Sequence, residues 1–139
     1  MNFVDFLGFD HIDCRVRSLA LVESFYDDLM PVLGLTEKRY AYVDPDGHWH
    51  KDFDNYNAVE YFEPIHPSKP RRFMGIIENP LHRNNDTRIA FRVALDQIPL
   101  LQTMLERLGA RDLEESDDET YPAIFFEDPA GTKLELIGR

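Results

Sequence analysis

Along the stretch "DHIDCRV" (10–16), His11, Asp13 and Arg15 alternate with Ile12, Cys14 and Val16. The stretch "TRIAFRV" (87–93) repeats this pattern: Ile12, Arg15 and Val16 recur as Ile89, Arg92 and Val93, while His11 recurs as Arg88. An imidazole can ligate a metal or carry a proton near neutral pH. A guanidinium stays protonated, accepts no hydrogen bond and pairs bidentately with carboxylates. The repeat therefore offers a metal-capable group in one copy and a fixed cation in the other. Glu135, in "TKLELIG" (132–138), adds a carboxylate. His48 and His50 stand two apart in "DPDGHWHKDFDNYN" (44–57) and would share one side of an extended strand, with Asp46 or Asp52 as further donors. An isolated His-x-His is a weak signal, and a mobile acidic and aromatic loop is the simpler reading. In that loop Trp49, Phe53 and Tyr56 suit a lid or a dimer contact. Cys14, the single cysteine, excludes an internal disulfide and falls on the apolar side of its strand.

The flanking segments show what positions these residues. After "DHIDCRV", Val22, Phe25, Tyr26, Leu29 and Leu33 recur at helical spacing, with Ser18 as N-cap, Pro31 tightening the last turn and Gly34 as stop. After "TRIAFRV", Asp96 can cap, Pro99 fits a first turn, Ile98, Leu101, Leu105 and Leu108 line one face, and Gly109 ends the helix. Strand patterns follow in both halves: "TEKRYAYV", "AVEYFEP" and "RRFMGII", then "ARDLEE", "YPAIFFEDP" and "TKLELIG". The chain is read as two βαβββ modules, about 4–80 and 86–139, joined by the polar "NPLHRNND" and sharing one domain. Each helix covers one face of its sheet. Alternation then sends His11, Asp13 and Arg15 in one module, and Arg88, Ala90, Arg92 and Glu135 in the other, to the opposite faces, where a cleft could form.

The 139-residue chain carries a net charge of −11, which disfavours nucleic acid and anionic membranes as partners. It has neither an apolar run of membrane-spanning length nor a signal-peptide pattern, so a cytoplasmic location is expected. No Ser-His-Asp set, phosphate-cradling glycine loop or cysteine cluster is evident, and "DPAGTK" lacks phosphate-loop spacing.

The stretches "DHIDCRV", "SFYDDLMPVLGL", "RIAFRV", "LLQTMLERLGA" and "AIFFEDPAGTKLELI" resemble the vicinal oxygen chelate superfamily. This superfamily includes glyoxalase I, bleomycin-resistance proteins, fosfomycin-resistance enzymes and extradiol dioxygenases. The resemblance spans nearly the whole chain. It implies an α+β fold of tandem βαβββ modules with a cleft between mixed sheets, and a homodimer. It also implies a small-molecule ligand and, in the family's enzymes, a divalent metal held by the first and last strands of each module.

Carried onto this sequence, the ligand positions match His11 and Glu135, with Glu135 the catalytic residue if the chain is an enzyme. Arg88 replaces the second module's histidine, and Met74 falls at the fourth position by alignment of "RRFMGII" with "TKLELIG". Glu78, Glu63 and Glu60 are the nearby alternatives for that position. With two of four metal ligands left, the cofactor is either a divalent metal or none. The expected replacement is an ion pair between Arg88 and Glu135, in which the guanidinium takes the place of the metal's charge; alternatively Arg88 points outward and holds an anionic ligand group. His11, Arg88, Met74, Trp49 and Tyr61 then form the expected ligand-binding set. Two functions remain open: a binding protein of bleomycin-resistance type for an anionic or aromatic molecule, and a metal-dependent lyase, isomerase or dioxygenase acting on a chelating substrate.

Overall fold

The computed structural model describes residues 3–139. Its elements run β1 (His11–Val16), α1 (Leu19–Val32), β2 (Glu37–Val43), β3 (Trp49–Lys51), β4 (Ala58–Phe62), β5 (Phe73–Glu78), β6 (Arg88–Val93), a 3₁₀ turn (Leu95–Gln97), α2 (Ile98–Leu108), β7 (Arg111–Glu115), β8 (Ala123–Glu127) and β9 (Lys133–Gly138). They form two mixed sheets, ordered β1-β5-β4-β2-β3 and β6-β9-β8-β7. In each sheet the first strand lies parallel to the last strand of its half, β1 on β5 and β6 on β9. This α+β arrangement agrees with the expected repeat, with one addition. The long loop of the first half contributes a short edge strand, β3, which pairs with the end of β2.

Both helices cover the inner faces of the sheets and also touch each other. Their buried residues, Val22, Phe25, Tyr26 and Leu29 from α1 and Leu101 and Leu105 from α2, belong to one apolar cluster with Ile76, Ile124, Leu134 and Leu136 from the strands. Ser18 occupies the N-cap of α1 but makes no side-chain bond there. The first free amide, on Leu19, donates instead to the Glu78 carboxylate at the end of β5 (2.8 Å). Gly34 ends α1 with a positive φ of 87°, and the Leu35 amide reaches back to the Met30 carbonyl, so the orphan carbonyls are satisfied. Pro31 sits inside this last turn without ending the helix before Val32. Gly109 ends α2 in the left-handed conformation.

The halves are joined chemically as well as by apolar contact. The Tyr26 hydroxyl of α1 donates to Asp128 (2.5 Å), a fully buried carboxylate in the β8–β9 turn. The same carboxylate accepts the Ala130 and Thr132 amides. Arg17 and Asn84 both donate to the Ala130 carbonyl. The turn "EDPAGTK" is therefore a docking device between the halves, not merely a hairpin.

Candidate functional site

Strand register sets which side chains share a face. On the outward face of the first sheet, His11 pairs with Phe73, and Phe73 with Phe62. The rings stack in the same order, His11 on Phe73 and Phe73 on Phe62, each at 4.4 Å. The Arg39 and Arg71 guanidinium groups lie over Phe62 at 4.6 and 4.7 Å. The next row runs Asp13, Gly75, Glu60, Arg39. Asp13 leans into the space above Gly75: a Cβ built there would stand 2.5 Å from Asp13 Oδ1.

His11 Nδ1 lies 2.7 Å from Asp10 Oδ2, and Nε2 lies 3.7 Å from Asp13 Oδ2. The hydrogen bond to Asp10 is the largest cause raising the imidazole pKa, helped by the charges of Asp13 and Glu60. Half-burial and the charge of Asp13 raise the Glu60 pKa, opposed by Arg39 and His11.

On the outward face of the second sheet, Arg88 pairs with Lys133, Ala90 with Glu135, and Glu135 with Phe125. Glu135 is 5% exposed, and its Oε1 is buried without a hydrogen-bond partner. Leaving a buried carboxylate oxygen unpaired is costly, so an orphan of this kind marks a place where a donor belongs. The Tyr121 hydroxyl approaches the same carboxylate, and this hydrogen-bonding approach raises the phenol pKa, while Arg139 and Arg88 oppose the rise. Arg88 is exposed and lies over the Phe125 ring at 4.8 Å. It makes no ion pair with Glu135, so the expected replacement of a metal by that pair is corrected. The two residues sit in successive cross-strand rows, and the guanidinium finds an aromatic face in preference to the recessed carboxylate.

Register also corrects the expected ligand set. Asp13 opposite Gly75 corresponds to Ala90 opposite Glu135, so Gly75, not Met74, is the counterpart of Glu135. Met74 is 1% exposed and faces the helices beside Ile12. Tyr61 is likewise turned inward, 2% exposed, with its hydroxyl donating to Asp27 of α1 (2.9 Å). Neither reaches an outward face, because strand alternation gives β4 and β5 the parity opposite to that of a ligand-facing Tyr61 and Met74.

Trp49 is 43% exposed and lines a cavity of about 780 Å³ with Arg39, Phe53 and Glu60, at the β3 end of the first sheet. His48 and His50 both turn to Asp44, at 3.6 and 2.8 Å. Glu78 caps α1 and Glu63 binds Arg72, so two of the three alternative carboxylates are engaged and Glu60 alone remains on the outward face.

Sequence reasoning missed Gly75, Phe125 and Tyr121 as parts of these faces. The signal for Phe125 and Tyr121 was their odd-numbered parity with Glu135 across the β8–β9 hairpin. For Gly75 there was little to go on, because "FMGIIE" reads as a continuous apolar run.

Both outward faces border one cavity between the modules, lined by His11 and Phe73 from the first sheet and by Ala90 and Arg92 from the second. The groups acting on His11 belong to the first sheet and the segment leading into it, and those around Glu135 to the second sheet and its flanking loop and terminus. The four equivalent positions hold His11, Gly75, Arg88 and Glu135, which is two donors on separate sheets and one cation. That set does not fit a divalent ion within a single chain. Among the described residues, the only three candidate donors close enough to share an ion are Asp44, Asp46 and His48, in an exposed turn.

No protein-family model matches the chain, and no curated protein matches it. Solved structures do. It is similar to the fosfomycin resistance protein FosX of Listeria monocytogenes, solved with Mn(II) and sulfate, with a TM-score of 0.62 and 18% identity over 97% of this chain and 94% of that one. A glyoxalase/bleomycin resistance protein of Albidiferax ferrireducens aligns at TM-score 0.61 and 20% identity, covering 94% of this chain and 98% of that one. The chain has the vicinal oxygen chelate fold. FosX from Mesorhizobium loti aligns at TM-score 0.57 and 18% identity, over 97% of this chain and 94% of that one. The alignments extend over both modules. No helix among the described residues is long and apolar enough to cross a membrane.

Proposed function

We propose that the chain is a cytoplasmic small-molecule-binding protein of the glyoxalase/bleomycin-resistance type. On this reading its inherited metal site is degenerate and its ligand is an anionic, aromatic-compatible molecule. The observation that carries it is the orphaned, buried Oε1 of Glu135 beside Phe125 and the exposed guanidinium of Arg88. A ligand carrying both a hydrogen-bond donor and an anionic group satisfies the carboxylate with one and the guanidinium with the other. Phe125 supplies a stacking surface for a planar body. The open outward faces further suggest that two copies pair as a homodimer, the first sheet of one covering the second sheet of the other and closing the cleft that one chain leaves open.

Thermal-shift titration with salicylate tests this, with benzoate and benzylamine as controls. Salicylate is expected to raise the melting temperature, benzoate less and benzylamine not at all. Arg88→Ala should lower salicylate affinity about 10- to 100-fold, the value of a charge-assisted hydrogen bond of ~1.5–3 kcal/mol. A response to benzylamine alone, or a salicylate response untouched by Arg88→Ala, would overturn the reading.

A second reading keeps a specific observation on its side. His11 and Glu135, two of the four equivalent positions, are metal-capable residues. If chain pairing brings them together, a metal-dependent lyase, isomerase or dioxygenase results, with Glu135 as its catalytic residue. The retention of metal by the purified dimer separates the two.

A further inference from the structure

The segment 3–10, "FVDFLGFD", runs directly into β1 without regular structure and leaves its large apolar side chains in water. Phe3, Val4, Phe6, Leu7 and Phe9 are 88%, 92%, 75%, 94% and 81% exposed. Scattered exposed apolar residues are ordinary; five within seven positions are not. Phe6 and Phe9 touch edge to face (5.6 Å) and so present a small apolar knob.

We propose that residues 3–10 form an arm exchanged between two copies of this chain, seated in the cavity where the two modules of the partner copy meet. This rests on the pairing of copies proposed above and names one of its contacts.

Three features select a second copy as the occupant. The first is the socket. A cavity of about 620 Å³ lies between the modules, walled by Ile12, Leu33, Leu35, Phe91, Val93 and Leu101. The chain's own Phe9 stands at its edge, but Phe3, Val4, Phe6 and Leu7 lie outside it. The arm thus starts at its own socket and leads away from it, which a two-fold exchange turns into reciprocal filling. The second is charge. Residues 1–14 contain Asp5, Asp10 and Asp13 and no Lys or Arg; among the charged groups lining the socket, Glu63 pairs with Arg72 and Asp10 with His11, which leaves Arg92 without an ion pair among the described residues. The third is area. Side chains of this size bury on the order of 150 Å² each, so two arms supply roughly 1,500 Å² of apolar surface. That falls within the ~1,200–2,000 Å² of a stable interface.

Sedimentation over a concentration series tests the arm, comparing the full chain with a deletion of residues 3–9, the double variant Phe6→Ser with Phe9→Ser, and Arg92→Glu. The expected result is a dimeric full chain, at least a 100-fold weaker dimer after deletion or double substitution, and about a 10-fold weaker one for Arg92→Glu. All variants should melt cooperatively, because none of these side chains lies in the core; should the deletion fail to fold, the double variant decides alone. An unchanged dimer constant in the armless variants would overturn the arm and leave the pairing of copies standing. A monomeric full chain would overturn both, and the salicylate titration reads the ligand proposal independently of either.

Discussion

Three carboxylates set the charge state of His11. Asp10 holds Nδ1, while Asp13, further along β1, and Glu60 of β4 act on the ring by their charge, and together they raise the imidazole pKa above its ordinary 6.5. A folded-state pKa above the unfolded value means that the protonated ring favours folding. This contribution is fully present below about 6.5 and is lost as pH rises through the folded-state pKa. An NMR titration should therefore give a His11 midpoint above 6.5, and Asp10→Asn should lower it. A midpoint that ignored the substitution would show that the hydrogen bond to Asp10 is not formed in solution. Gly75 belongs to the same small neighbourhood. A Cβ there requires the Asp13 side chain to move, so Gly75→Ala should separate Asp13 from His11 and lower the His11 midpoint as well, with a smaller shift than Asp10→Asn. On the other sheet, Glu135→Gln tests the orphaned oxygen. An amide keeps the shape and adds a donor, so it should cost little stability yet weaken salicylate binding, because the partner for the ligand's donor is impaired.

Among the elements, the β8–β9 turn and the start of α1 each depend on a single carboxylate. Tyr26→Phe leaves Asp128 with its amide donors but without its phenol, and should lower unfolding free energy by about 1–3 kcal/mol in urea titration. Glu78→Ala removes the cap of α1 and should cost about 1 kcal/mol. Equal and negligible losses for both would mean that neither contact is formed. These elements also show where sequence was sufficient. Both helices and the eight principal strands announced themselves through the spacing of Val22, Phe25 and Leu29, of Leu101 and Leu105, and through the echo of β1 in β6. The faces of β1, β6 and β9 followed from simple alternation. β5 did not, because Met74, Ile76 and Ile77 are apolar on both sides of the strand, so periodicity cannot fix its parity. One residue of register turned Met74 into a candidate ligand and hid Gly75. The cap of α1 was illegible for a related reason: Ser18 has the right type and place, but a carboxylate sixty residues away in the chain reaches the amide first.

For the whole molecule, the repeat explains the shared architecture and the substitutions within it explain the divergence. The first sheet presents an aromatic face of mixed charge, with Asp13 and Glu60 beside Arg39 and Arg71 over Phe62, and the second a basic one around Arg88, with Glu135 recessed in it. The net charge of −11 repels anions, so the anionic ligand proposed above requires the local cations of that second face.

On the proposed reading, the second sheet's face works through Arg88 and Glu135 without a resident metal. Metal analysis of the purified protein, with thermal shifts of stripped protein over Mn, Fe, Co, Ni and Zn, tests it most directly. Substoichiometric metal, and no shift beyond one that Asp44→Asn removes, is the expected result. A near-stoichiometric metal that survives Asp44→Asn and disappears with Glu135→Gln or His11→Ala would contradict it.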